Sequence, residues 1–262
     1  KSIARIMSRS FQSQSRSRWG GEPVTLLRKT QLVTDAESRL PVYTLTFSTP
    51  AGTDSLPCDI SMGDVVKVEV PNYKPKSYSM SSSRPGEFDI TFKVYPNGRA
   101  SGYLNSIGIG QSIHVFGLSK RKRRQPGNFT GFIAYGVGIT EALPIAAAEL
   151  VKSDSKVLLL WASKTTGDTF WHNEISRLRE EYGERFEFTE ILSREIKDGA
   201  LHGRINPKIL RTVFDGAWGT EDREDLREGV RFLSVGTKEM MRETDLMLSS
   251  IGYEMPKHAL LA

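Results

Sequence analysis

Three short segments of this 262-residue chain carry the residue types that hold flat rings and phosphates. In Lys76-Ser77-Tyr78-Ser79-Met80 a tyrosine can stack on a planar ring, the Ser79 backbone or hydroxyl can bond a ring nitrogen, and Lys76 can pair with a phosphate. The same residues also read as an ordinary strand with an aromatic on one face. Gly98-Arg99-Ala100-Ser101 opens a short helix. Its free N–H groups, with Arg99 and Ser101, would seat a diphosphate; the plainer reading is a hairpin turn ending in a helix cap. Gly136-Val137-Gly138-Ile139-Thr140 joins an apolar strand to an Ala-rich helix. Glycine lets the backbone approach a pyrophosphate, the helix start supplies N–H groups and partial positive charge, and Thr140 can cap. Two glycines alone would equally make a tight strand-to-helix turn.

The elements that must carry these segments change character near residue 126. Before it, β-type runs at Val24–Thr34, Val42–Ser48, Asp64–Val70, Ser77–Met80, Phe88–Tyr95 and Ser112–Phe116 are separated by turn residues, and a short helix fits Ser101–Ser106. Phe88–Val94 alternates apolar and polar, so one face is buried and one wet. Strands at this spacing predict an antiparallel barrel over 22–125. After Pro126-Gly127 the texture is β-α-β-α, which predicts a parallel, Rossmann-like sheet over 126–262. Its strands are Phe129–Tyr135, the doubly buried Lys156–Ala162, Arg185–Leu192 and Arg231–Val235. Its helices are Thr140–Leu150, Asp168–Tyr182 with Asp168 as N-cap, Asn206–Phe214 and Thr237–Ile251. Asp215–Gly229 is a charged, Gly-containing insertion, a candidate docking loop. Ligands of open parallel sheets lie beyond the carboxyl ends of the strands. Those ends carry Gly136-Val137-Gly138, Ala162-Ser163-Lys164, Ser193-Arg194 and Gly236-Thr237, a rim suited to a phosphate-bearing ligand.

Composition removes several alternatives. A single cysteine, Cys58, excludes an internal disulfide, a thiolate zinc site and a Cys-ligated iron–sulfur cluster. The four histidines show no ligand spacing, so no metal is expected. Gly131–Leu150 is the longest apolar-looking stretch, but it holds Glu141, Pro144 and Glu149 and is no transmembrane segment. The formal charge of +5 belongs to the start of the chain: residues 1–21 hold five bases and no acid, and the rest is balanced. This tail, with six serines, has the composition of an organelle transit segment. A mitochondrial location is the expectation, a plastid the second choice, and a solvated basic arm the plain alternative. Lys120, Arg121, Lys122, Arg123 and Arg124 form a second excess, either a solvated loop or a patch for an acidic partner such as an acidic redox protein. Nucleic acid ranks below both.

Taken in order, these segments resemble the ferredoxin–NADP reductase-like flavoproteins over about residues 22–255. Lys76–Met80 resembles the family's R-x-Y-[ST] flavin motif, Gly98–Ser101 its FAD-diphosphate segment, and Gly136–Thr140 its G-G-T-G-I-T-P nucleotide loop. Val235-Gly236-Thr237-Lys238-Glu239-Met240 is similar to the C-G-P-x-x-M segment beside the nicotinamide. The resemblance implies FAD along the barrel, with Tyr78 on the isoalloxazine ring and Ser79 near its reactive nitrogen. It implies NADPH or NADH on the sheet rim, held by Gly136–Thr140, Gly236, Thr237 and Met240. Lys164, Ser193 and Arg194 would read a 2′-phosphate, which favours NADPH.

The departures bear on activity. Lys76 stands for the flavin arginine and lacks its bidentate geometry. Tyr135 and Val137 replace a loop glycine and threonine, and Glu141 replaces the proline, putting a negative charge where a pyrophosphate would lie. Val235 and Thr237 replace the cysteine and proline of the last motif. The expected function is hydride transfer from NAD(P)H to flavin, then electron delivery to a protein or small-molecule acceptor. The alternative is a reductase-like accessory subunit of a larger organellar complex that lost the redox step.

Overall fold

The computed structural model describes residues 20–36, 39–49, 65–116, 127–220, 223–255 and 257–258. The basic run Lys120–Arg124 and almost all of the basic tail lie outside them.

Six antiparallel strands close a barrel: β1 (Gly20–Val33), β2 (Val42–Ser48), β3 (Val65–Val68), β4 (Lys76–Arg84), β5 (Glu87–Lys93) and β6 (Ser112–Phe116), in the order β1-β2-β5-β4-β3-β6. The alternation read in the fifth run is what fixes register: Phe88, Ile90 and Phe92 point inward and join Leu45, Phe47, Val66, Val68 and Met80 in one core. Helix α1 (Arg99–Ser106) plugs the barrel through Ala100 and Leu104.

The second part is a five-stranded parallel sheet made of β7 (Phe129–Tyr135), β8 (Lys156–Ser163), β9 (Phe186–Leu192), β10 (Leu201–His202) and β11 (Val230–Val235), in the order β10-β9-β8-β7-β11. One face carries α2 (Ile139–Lys152) and α3 (His172–Tyr182). Val33 and Val42 of the barrel join that same core, so the two parts share buried apolar surface. The other face carries α4 (Pro207–Leu210), a π turn at Arg211–Asp215, α5 (Gly216–Trp218), α6 (Glu224–Arg227) and α7 (Lys238–Ser250). No helix among the described residues is long and apolar enough to cross a membrane.

Three local expectations need correction. Asp168 does not cap α3: it ends a short 3₁₀ turn, and the helix starts after Trp171, whose backbone is left-handed at φ 61°. Thr140 does not cap α2: Gly138 is the N-cap residue, and the Thr140 hydroxyl donates back to the Val137 carbonyl at 2.8 Å. The segment from Asp215 is no extruded loop. Asp215 is 1% exposed, and its Oδ1 accepts from the Tyr253 hydroxyl at 2.5 Å and from the Thr220 hydroxyl at 2.9 Å. Arg227 closes this network, with Nη2 3.4 Å from Asp215 Oδ2 and Nη1 donating to the Ile251 carbonyl at 2.9 Å. Asp215 and Arg227 of this segment are therefore structural, whereas Arg223, Asp225 and Glu228 are exposed.

Candidate active site

Between barrel and sheet lies one cleft of about 1340 Å³, lined from both sides. The barrel contributes Lys76, Tyr78 and Ser79 from β4 and Gly98, Arg99, Ala100 and Ser101 from the start of α1. The sheet contributes Gly136, Val137, Gly138 and Thr140 after β7, Lys164 after β8, Ser193 and Arg194 after β9, and Gly236, Thr237 and Met240 after β11. Six segments, two from the barrel and four from the sheet, thus meet around one space. Two of the expected residues do not. Met80 is 1% exposed, two residues deeper than Tyr78 on the inward face of β4, and Ile139 is 0% exposed at the buried start of α2.

Local chemistry sets each wall. Tyr78 sits at the barrel mouth, edge-on to Phe92 at 6.1 Å between ring centroids. Burial pushes its hydroxyl up to about 12, so the phenol stays neutral. At the start of α1 no side chain caps the helix, and the Ser101 hydroxyl is spent locally, accepting from Tyr95 N at 3.2 Å and donating to the Gly98 carbonyl at 3.2 Å. The first-turn N–H groups therefore face the cleft without a side-chain acceptor. Beside them Tyr73 carries two cations over its ring, Lys76 Nζ at 5.8 Å and Arg99 Cζ at 5.5 Å from the centroid. Tyr73 gave no signal in the sequence, because only the fold brings it between the two bases.

On the sheet side the loop after β7 is fixed from three directions. Gly136 takes φ +52°, which a side chain resists. Its carbonyl accepts from Trp161 Nε1 at 2.7 Å. A Cβ on Gly138 would lie 2.4 Å from the Val235 carbonyl oxygen, so only glycine lets β11 and this loop touch. Tyr135 fills the space over Gly236, where a Cβ would meet its ring at 3.0 Å, and its hydroxyl bonds Thr244 Oγ1 at 2.7 Å. Thr237 caps α7, accepting from Met240 N at 3.2 Å.

Three acids in or beside the cleft are engaged. Asp168 faces Lys93 Nζ across the domain junction at 3.7 Å and accepts from the Thr165 hydroxyl at 2.9 Å. Just outside the cleft wall, Glu195 accepts from Thr166 N at 2.7 Å and from its hydroxyl at 2.9 Å, bonds that hold its carboxyl below the usual range. Glu141 does not point to a pyrophosphate seat as its place in the sequence suggested. Its Oε2 accepts from the Ser79 hydroxyl at 2.7 Å, linking α2 to β4. The exposed bases Lys164 and Arg194 are joined by Arg204, which sequence reasoning missed, at one end of the cleft. None of the three forms an ion pair among the described residues. No group of three or more His, Cys, Asp or Glu residues among them could hold a metal.

A flat floor beside a hydroxyl, an uncapped helix start and a glycine loop facing it suit two dinucleotides meeting ring to ring. Comparison with known proteins agrees with this geometry. Residues 28–121 match the oxidoreductase FAD-binding domain and residues 132–245 the oxidoreductase NAD-binding domain. The chain belongs to the oxidoreductases that join these two domains. The NADH–cytochrome b5 reductase 1 of Arabidopsis thaliana is 31% identical over 145 residues, 53% of this chain and 51% of the relative. The chain thus matches about half the length of that curated relative. Among solved structures, the cytochrome b5 reductase domain of Ulva prolifera nitrate reductase superposes with a TM-score of 0.72 at 17% identity, covering 91% of this chain and 96% of that one. A ferredoxin–NADP+ reductase from Neisseria gonorrhoeae, solved with FAD and NADP, gives 0.67 at 16% identity and covers 91% and 94%. The shared fold is the ferredoxin–NADP reductase-like one, a barrel followed by a parallel sheet.

Proposed function

We propose that the chain passes a hydride from NAD(P)H to FAD and then hands electrons to a separate acceptor. The observation that carries this reading is the single cleft in which Tyr78 and Ser79 of the FAD-binding domain face Gly236 and Thr237 of the NAD-binding domain. Bound flavin supplies the redox chemistry; the residues supply position. Tyr78, kept neutral and braced by Phe92, offers its face to the isoalloxazine ring. The start of α1 with Lys76 and Arg99 holds the flavin diphosphate, Lys76 as a point charge rather than a bidentate clamp. The loop Gly136–Thr140 holds the second pyrophosphate, and Gly236 and Thr237 border the place of the nicotinamide.

NADPH is the favoured donor. Lys164, Arg194 and Arg204 converge beside Ser193, and the nearby acid, Glu195, is tied to Thr166. That leaves a cationic, carboxylate-free place for a 2′-phosphate. The Arabidopsis relative is named for NADH, so the NADPH/NADH ratio of kcat/KM tests this point, and Arg194→Ala should reduce it. The acceptor is a one-electron protein with an acidic surface, to which the run Lys120–Arg124 is complementary. The acid-free, Ser- and Arg-rich residues 1–21 support a mitochondrial setting.

The test is the colour of the purified chain. A flavin band near about 450 nm that bleaches anaerobically with NADPH supports the reading. Bound flavin that no nicotinamide bleaches would indicate the accessory-subunit alternative, and absence of flavin would end the redox reading.

A further inference from the structure

The bond between Ser79 and Glu141 fixes which way the Ser79 hydroxyl can act. An ionised carboxyl only accepts hydrogen bonds, and a serine hydroxyl has one proton to give. Here that proton lies on the 2.7 Å bond to Glu141 Oε2. Glu141 is itself held in place, since it lies in the first turn of α2, where the helix favours an anion. Both side chains are half-buried and line the cleft, one from each domain. Toward anything resting on Tyr78, the Ser79 hydroxyl therefore has only lone pairs to offer.

On the reading proposed above, the ring beside Ser79 is a flavin. Its reactive nitrogen is a bare acceptor when oxidised and carries an N–H once a hydride has arrived. A hydroxyl restricted to accepting meets the oxidised nitrogen lone pair to lone pair and meets the reduced one as a hydrogen-bond partner. We propose that Glu141 is a positioning residue that turns Ser79 into an obligate acceptor, so that the pair biases the bound flavin toward its reduced form. The bias draws hydride from the nicotinamide and retards onward transfer. It follows from the residue at 141: an apolar side chain there would free the Ser79 hydroxyl to donate to the oxidised ring as readily as it accepts from the reduced one, removing the bias.

The test is a double-mutant cycle on the flavin midpoint potential of the full FAD-loaded chain. Loss of the Glu141 charge shifts the potential by itself, so Ser79→Ala is compared separately with Glu141 present and in Glu141→Ala. With Glu141 present, Ser79→Ala should lower the reduced-to-oxidised ratio at a fixed potential about fivefold, the worth of one hydrogen bond. In Glu141→Ala the freed hydroxyl can donate to the oxidised ring or accept from the reduced one, so the same change should have little effect. A fall that is present with Glu141 and vanishes without it supports the proposal; the same fall in both backgrounds, or none in either, overturns it. If Glu141→Ala does not fold, the protein loaded with ¹⁵N-labelled flavin decides. The oxidised ring nitrogen should resonate alike in the unsubstituted chain and in Ser79→Ala, whereas a downfield move in Ser79→Ala would show that Ser79 donates and would refute the proposal. An unsubstituted chain that binds no flavin would instead refute the functional reading on which the proposal rests.

Discussion

The helix-covered face of the sheet and the cleft at its strand ends treat polar groups in opposite ways. On the face covered by α4 to α7, Asp215, Thr220, Tyr253 and Arg227 satisfy one another inside an aromatic shell in which Phe214, Phe232 and Tyr253 meet edge to face at 4.8–5.0 Å. Every partner is internal, so this network is about stability. Along the cleft, the start of α1 is uncapped and Lys164, Arg194 and Arg204 stand exposed without an ion pair among the described residues. A site that must receive phosphates keeps its donors uncommitted. The difference separates charged residues that hold the fold from those that await a ligand, although composition makes them look alike.

The contrast can be broken by experiment. Asp215→Ala should cost about 3–5 kcal/mol in denaturant unfolding, because it strands buried partners, while flavin content per folded molecule stays unchanged. Loss of flavin at unaltered stability would erase the distinction. Gly138→Ala sits on the boundary between the two classes, since its Cβ would meet the Val235 carbonyl at 2.4 Å. About 1–3 kcal/mol of stability should go with the displaced loop. Dinucleotide affinity, followed by titration, should weaken while FAD remains bound. Tyr78→Ala should weaken FAD binding by at least about tenfold in a fluorescence titration, the scale of a lost stacking platform. Tyr78→Phe keeps the ring and should stay within about threefold of the parent.

The smallest effect is one of pH. Burial lowers the pKa of His258 from 6.5, with Arg231 and Lys257 adding to the effect, against the bond its ring makes to the Val230 carbonyl. The unfolded chain therefore binds the proton more readily. The contribution of His258 is intact above about pH 6.5 and is lost as pH falls through the lowered folded value. His258→Gln should flatten the acid side of the stability profile by about 1 kcal/mol or less. An unchanged profile would remove His258 from the structural class.

Much of this was legible in residue order. The alternation at Phe88–Val94 and the apolar run Val157–Trp161 report burial directly, since periodicity mirrors which faces are covered. The glycine loop and the tyrosine motif were readable because backbone approach and ring stacking demand particular residue types. What escaped depends on long-range geometry. β10 is a two-residue edge strand, too short to show a period. Trp171 takes a left-handed backbone that nothing local announces, which misplaced the start of α3. Glu141 was visible as a charge, but its direction depends on β4 lying across from α2. Arg204 and Tyr73 reach the cleft only when distant strands close around it.

The π turn at Arg211–Asp215 holds one residue more than an α-helix needs over the same rise. Each residue of a helix advances its neighbours by about 100° around the axis. Running the same residues as a regular α-helix would instead swing Asp215 and Trp218 by about 100°, out of the interior and toward water. The wide turn thus acts as a phase setter: it absorbs the surplus residue locally and decides which way everything after it looks.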